Sequence, residues 1–370
     1  GLDLFLDIKI NTISDNSFDA IVKLIDVETT AYVANVQFRK SVRDEDTPDS
    51  LFVKAETNYA NGEYKKAADR FARIYDSLAE SGDRDEGLLA RKSLRYAGTA
   101  YYMAGEYQMA IESVAEFRTA FGEDEELSFY LAHSLYYLGN TEKAEQTLRQ
   151  LIESASYYHR AYILLSDILS QQRRFDEAIL ILDGIPRTSD DYYRATFKKA
   201  LIYERQLNSP KALELYREVY GNSELDQPAR YNYSRLLFVG GLYAKAVESA
   251  KELIQKYPVY REAYDLVFNV LLSLLANNYS LDEVDKLTNW YIETKEKNIG
   301  LISLDYYLKA TVYESQAREL LNLGREKDAK EVLKKTAEYY ELALEYDDFD
   351  GVLTEEQIDH ALNIIEKHGM

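Results

Sequence analysis

The sequence predicts an all-α protein, a solenoid of stacked helix pairs, and three observations carry that expectation. Alanine recurs every 34 residues, at Ala110, Ala144, Ala178, Ala212 and Ala246. Only 5 Pro and 16 Gly interrupt 370 residues rich in Ala, Leu, Glu and Lys, so long helices are allowed nearly everywhere and strand-rich folds are disfavoured. With 46% apolar and 29% charged residues the chain has ample core-forming material, and at this length unit-on-unit stacking accommodates it better than one globular core.

The small residue is one mark of a longer repeated pattern. Twelve positions before each of those alanines stands another small residue, Gly98, Ala132, Ser166, Ala200 and Ser234, which lets two helix backbones approach closely. Three positions later, on the same helical face, come Tyr101, Leu135, Leu169, Tyr203 and Leu237 as packing knobs. Gly105, Gly139 and Gly241 fall between the helices, where a residue able to take positive φ ends one helix and permits the turn, and Tyr107, Phe175 and Tyr243 open the second helix with a ring. Pro258 closes the last regular unit. This order of small, large, glycine, aromatic, alanine and terminal proline resembles the tetratricopeptide repeat family, whose unit is also 34 residues and whose fold would be a right-handed α-solenoid with helical caps.

Taken in chain order, residues 1–47 are expected to form an N-terminal helical cap or linker, with Phe18, Ile21, Val22 and Ile25 marking one helix before a charged break at SVRDEDTPDS. The array is expected over 48–260 as six regular units. The first, at 48–81, keeps Ala55, Gly62, Tyr64, Ala67 and Phe71 in the same spacing but is displaced by nine further residues around SGDRDEG, read as a longer polar loop or an extended helix end. The other five run 91–124, 125–158, 159–192, 193–226 and 227–260. Arg173 and Leu207 stand where the turn glycine is expected, and Thr141 and Ser209 where the ring is. Divergent pairs at 261–297 and 302–346 are expected to continue the solenoid through 261–346. In 347–370, TEEQIDHALNIIEKH begins with Thr354 and Gln357 at capping-box spacing and reads as a C-terminal capping helix.

Composition also bounds the function. A net charge of −20 opposes binding to a polyphosphate backbone, so no nucleic acid is expected. The most apolar run, VFNVLLSLLA at 267–276, falls short of the roughly 18 residues of a membrane-spanning helix, and no transmembrane segment is expected. There is no cysteine, which removes disulfides, thiol nucleophiles and thiolate metal sites. Freedom from cysteine suits an exported bacterial protein, so the periplasm is the expected compartment ahead of the cytoplasm. A start at Gly1 rather than Met fits removal of a signal or lipid-anchor segment. The four histidines, at 133, 159, 360 and 368, form none of the usual catalytic signatures, and the GEDEE run at 122–126 lacks the ligand alternation of a calcium loop. No catalytic residue, cofactor or metal is expected, and the chain is read as a non-enzyme.

In the family that the pattern resembles, the first helix of each unit lines a concave groove. Carried over residue by residue, the resemblance places Lys92, Arg95, Tyr96 and Tyr102 there from one unit, and Phe129, Tyr130, His133, Tyr136 and Tyr137 from the next. The following units supply Arg160, then Arg194, Phe197 and Lys198, then Tyr231 and Arg235. Counting all the lining positions of these units, seven residues are basic and three acidic, the reverse of the whole chain, so the groove is expected to be ring-lined and locally basic. Tyr and Arg are the residue types that dominate binding hot spots. The expectation is a scaffold or adaptor that holds a segment of a protein or peptide partner. Two other readings stand beside it: a periplasmic or membrane-anchored helper of envelope assembly, transport or a surface machine, and a regulatory module for a small anionic ligand among Arg95, Arg160, Arg194 and Arg235. The two-asparagine clamp of chaperone-binding members is not reproduced, because its position reads Glu56, Thr99, His133, Asp167, Leu201 and Arg235. Trp290 and Tyr291 mark a possible edge for self-association, against the alternative that they fill an interior layer.

Overall fold

The computed structural model describes residues 4–14, 17–26, 32–41, 47–222, 224–277, 279–346 and 353–368. Two compact units divide it, Gly1–Tyr158 and His159–Met370. The first unit contains a three-stranded antiparallel sheet, β1 (Leu4–Ser14), β2 (Ser17–Asp26) and β3 (Tyr32–Ser41), in the order β1-β2-β3. Six helices follow: α1 (Pro48–Ala60), α2 (Tyr64–Leu78), α3 (Arg84–Met103), α4 (Tyr107–Phe121), α5 (Glu125–Tyr137) and α6 (Thr141–Ser154).

The second unit begins with α7 (His159–Gln171), α8 (Phe175–Asp183), α9 (Tyr192–Arg205), α10 (Ser209–Glu218), α11 (Asp226–Val239) and α12 (Tyr243–Lys256). The longer pair α13 (Arg261–Ala276) and α14 (Leu281–Asn298) comes next, then α15 (Ser303–Asn322), α16 (Glu326–Tyr346) and the terminal α17 (Glu355–His368). From Pro48 on, the expected all-α array of helix pairs is what the chain forms. The strands correct the expectation for residues 1–47. Phe18, Ile21, Val22 and Ile25 fit a helical spacing, but the same stretch also alternates as Phe18, Ala20, Val22 and Leu24. The register pairs Ala20 with Ile10 and Phe38, and Val22 with Ile8 and Val36, so apolar positions fall opposite one another in a period-two pattern rather than a helical one.

The 34-residue register is a packing register. Ala110, Ala144, Ala178, Ala212 and Ala246 are all fully buried. At Gly98 an added Cβ would meet Leu127 Cδ2 and Val114 Cγ2, each at 3.4 Å, which is why a small residue is needed in the first helix. The nine additional residues before the second unit lengthen a helix rather than a loop: α3 starts at Arg84, where the Asp83 side chain caps it by accepting from the N–H groups of Asp85 and Glu86. Thr354 and Gln357 make the reciprocal bonds of a capping box at the start of α17, Thr354 N–H to Gln357 Oε1 at 2.8 Å and Gln357 N–H to Thr354 Oγ1 at 3.3 Å.

The turns at Gly105, Arg173 and Leu207 keep one backbone solution although different residues occupy it. Gly105 (φ 75°) donates to the Tyr102 carbonyl while Glu106 N–H donates to that of Tyr101. Leu207 (φ 59°) repeats these bonds with Glu204 and Tyr203, and Arg173 (φ 61°) with Ser170 and Leu169. Left-handed backbone costs a side-chain-bearing residue roughly 1–2 kcal/mol, a cost glycine avoids. Leu207 is 88% exposed and loses no packing on truncation, so Leu207→Gly is expected to stabilise the chain by about 1 kcal/mol, less the added entropy of the unfolded glycine, as read by urea unfolding. A loss of stability would show that the Leu207 side chain contributes contacts that outweigh its strain.

Candidate interaction face

In the first unit, α3 and α5 lie side by side as the first helices of successive pairs and place their aromatic residues in one continuous cluster. Tyr102 of α3 stacks on Tyr130 of α5 with ring centroids 4.5 Å apart, and its hydroxyl lies 2.5 Å from His133 Nδ1. His133 in turn contacts the rings of Phe129, Tyr136 and Tyr137 at 5.8, 6.5 and 4.8 Å. Phe129 and Tyr130 are buried, His133, Tyr102 and Tyr136 half-buried, and Tyr137 is exposed. Sequence reasoning missed Tyr107 as a member of this cluster: at the start of α4 it stacks on Tyr137 at 4.6 Å with the planes only 10° apart. Its signal was the aromatic that opens the second helix, read there only as a packing knob. Met103, also exposed, follows Tyr102 on α3.

Other residues expected in the groove are not part of this cluster. Tyr96 stacks on Phe71 at 5.3 Å and meets Phe52 and Tyr59 edge-on, an interlayer cluster of α1, α2 and α3. In the second unit Phe197 packs edge-on against Tyr216, and Tyr231 against Tyr260. Lys92 and Arg160 are exposed on α3 and α7.

Much of the expected basic charge is paired with carboxylates. The three acidic lining residues each bond a basic one 31 positions away, one helical turn short of the repeat. Arg95 Nη2 donates to Glu126 Oε2 at 2.5 Å, Lys198 to Asp167 at 2.7 Å, and Arg235 to Glu204. Tyr102 and His133 stand in the same relation. Arg95 also bonds Asp124 at 2.9 Å, and Arg194 reaches Asp191 and Glu224 at 3.0 and 3.4 Å. The basic residues therefore tie successive first helices together, and Arg95, Arg194 and Arg235 do not form an open anion site. The linear count missed this because Asp124, Asp191 and Glu224 lie outside the first-helix lining positions.

Tyr291 is fully buried, its hydroxyl donating to Asp305 Oδ1 at 2.6 Å, so it belongs to the interior and not to an exposed edge. Trp290 is partly buried and carries the Lys251 ammonium 4.5 Å from its ring. Among the described residues no group of three or more His, Asp or Glu side chains is placed to hold a metal, and no helix is long and apolar enough to cross a membrane.

Comparison with known proteins adds to this geometry. The tetratricopeptide repeat family profile matches residues 130–193 and 197–260. Over 197 residues, half of this chain, the sequence is 26% identical to the human protein O-mannosyl-transferase TMTC1, and the match spans 22% of that protein's length. Among solved structures, a tetratricopeptide repeat protein from Parabacteroides merdae aligns over 86% of this chain and 98% of its own, with 15% identity and a TM-score of 0.46. The C-terminal part of a repeat-containing protein from Cytophaga hutchinsonii aligns over 83% and 98%, with 13% identity and a TM-score of 0.46.

Proposed function

From the premise that the helix pairs of this chain are tetratricopeptide repeats, we propose that it is a non-enzymatic interaction scaffold that holds a segment of a protein partner against the aromatic face of α3, α4 and α5. The observation that carries this reading is the exposed Tyr137 ring, 54% accessible yet fixed by its parallel stack on Tyr107. A large ring already ordered in the unbound protein loses little entropy on binding, which is what makes tyrosine effective at contact surfaces. Exposed Met103 supplies an adaptable apolar neighbour.

The partner is read as engaging rings and apolar side chains more than fixed charges, because most of the nearby basic residues already have carboxylate partners. The transferase activity named for the human relative is not carried to this chain, since the match spans 22% of that protein. The cysteine-free sequence supports an exported, periplasmic setting for the scaffold, which fractionation of the producing cell would test.

Once a partner is isolated, Tyr137→Ala is expected to weaken its binding by at least about tenfold, the effect of a hot-spot ring worth somewhat more than 1 kcal/mol. The folded state should change little, because the Tyr137 side chain is mostly solvent-facing. Unchanged affinity in Tyr137→Ala, with the circular dichroism and melting temperature of the parent, would move the binding surface elsewhere.

A further inference from the structure

The terminal helix α17 stands on a small apolar footing. It packs along α16, and the fully buried cluster that it joins consists of Ala310 of α15, Tyr340 of α16 and its own Ala361. Ile364 is partly buried beside them, and Leu362 on the same helix is 45% exposed. By contrast, α13 buries Tyr264, Leu266, Val267, Val270, Leu271 and Leu274. Apolar burial is the main force holding a short helix to its neighbours, so α17 depends more than α13 on its polar contacts.

One such contact reaches past α16 to α15. His360 Nε2 lies 2.8 Å from Glu314 Oε2, the oxygen that also accepts from the Tyr340 hydroxyl at 2.9 Å, while Glu314 Oε1 accepts from Arg318 at 2.8 Å. The Tyr340 ring stands edge-on to the imidazole with centroids 5.8 Å apart. The Glu314 side chain is 12% exposed and that of His360 43%, so the carboxylate is enclosed and the imidazole closes over it from the solvent side.

Burial by itself raises the Glu314 carboxyl, but the hydrogen bonds from His360 and Tyr340 and the charges of His360 and Arg318 hold it below the usual carboxylate range. Glu314 is therefore ionised throughout the interval of about pH 5 to 8 in which an imidazole exchanges its proton. The other charged or titratable groups at this contact are Tyr307 and Arg318 on α15, Tyr339 and Tyr340 on α16, and Glu356 and Asp359 on α17, all of types that titrate outside that interval. His368, at the last position of α17, is the other imidazole on the helix.

A protonated imidazole meets Glu314 as an ion pair, a neutral one only as a hydrogen-bond donor. The contact is accordingly stronger on the acid side of the imidazole interval and weaker as pH rises through it. We infer that α17 is a proton-latched cap on the last helix pair: protonated His360 holds it to Glu314, and loss of that proton lets it undock more often and uncover Tyr340 and Ala310. The latch uses no residue of the aromatic face, so this inference and the scaffold reading fail independently.

Hydrogen exchange of the full chain at about pH 5.5 and about pH 7.5, corrected for the intrinsic rate of each amide, tests the inference. An undocked helix of this length is marginal in water, so the α17 amides exchange when it lifts. Their opening equilibrium is expected to rise by about fivefold toward the higher pH, as suits a partly exposed ion pair, while that of the α13 amides stays constant. His360→Gln can still donate a hydrogen bond but carries no charge, and in it the rise should disappear. Glu314→Gln, which keeps the acceptor and loses the charge, should abolish it too, whereas His368→Gln should retain it. Equal α17 opening at the two pH values in the parent, or a rise that either His360→Gln or Glu314→Gln retains, would overturn the inference. A rise lost in His368→Gln would overturn it as well, by placing the titrating group at the helix end.

Discussion

Asp226→Ala is expected to lose about 3–5 kcal/mol of unfolding free energy, the cost of removing one member of a buried, hydrogen-bonded charge group. Asp226 sits in the first turn of α11, where a negative charge suits the helix dipole, and is 1% exposed. Its two oxygens accept from Arg230 at 3.0 Å, Lys256 at 2.8 Å, the Tyr257 hydroxyl at 2.7 Å and the Gly221 N–H at 2.6 Å. Truncation would leave donors from α11, from the end of α12 and from the loop before α11 facing a void. Asp226→Asn, which keeps an acceptor for some of them, should lose less, and urea unfolding of both variants measures the difference.

The same group makes a pH prediction. Burial alone would raise the Asp226 carboxyl, but the hydrogen bonds from Lys256, Gly221, Tyr257 and Arg230 outweigh burial and hold it well below the usual carboxylate range. A depressed folded pKa means that its stabilisation is fully present above the ordinary carboxylate value of about 4 and is lost as pH falls through the folded pKa. Over the interval below pH 4 the parent should therefore lose more stability per pH unit than Asp226→Asn.

The second large effect lies between α14 and α15. Lys295 and Asp305, 6% and 0% exposed, pair at 2.8 Å; Tyr291 donates to the same carboxylate oxygen, and the Ile302 N–H donates to the other at 2.8 Å. Burial, followed by the Asp305 charge, pushes ionisation of the Tyr291 phenol far up, so it stays a neutral donor. One turn along α15, Lys309 is equally enclosed and bonds Asp285 at 2.5 Å and Asn289 at 2.6 Å. Asp305→Ala strands the Lys295 ammonium and should cost about 3–5 kcal/mol, whereas Lys295→Met combined with Asp305→Leu should recover most of that loss. Equal losses in the single and double variants would mean that the carboxylate acts mainly by binding the Ile302 N–H at the helix start.

These two networks also mark where the sequence stops being readable. The helix pairs over 48–260 followed from spacing, because these units repeat one local packing problem with a fixed period; the left-handed backbone at Arg173 and Leu207 did not, since spacing marks those positions only as departures from the turn glycine. The capping box at Thr354 and Gln357 was equally local. Lys295 offered a faint signal, since it continues the buried Thr288–Tyr291 stripe of α14 where a charge is out of place, but its partner lies on the next helix. Asp226 offered less, as its four donors converge only in three dimensions. The strands β1, β2 and β3 were misread because residues 18–25 fit two periods at once, the helical one through Phe18, Ile21, Val22 and Ile25 and the alternating one through Phe18, Ala20, Val22 and Leu24, and the choice depends on partners in β1 and β3. At the aromatic face the ring types were visible, while the pairing of Arg95, Lys198 and Arg235 with acids 31 residues away was not.

The central claim is that the α3–α5 aromatic face is the working surface of a repeat scaffold. Photocrosslinking in the native cell from a reactive residue placed at 103, 107 or 137, compared with one at 112 or 150 on the second helices, tests it most directly. The account predicts that one and the same protein is captured from 103, 107 and 137 and is absent from 112 and 150. Capture of that protein with equal yield from both sets would contradict it.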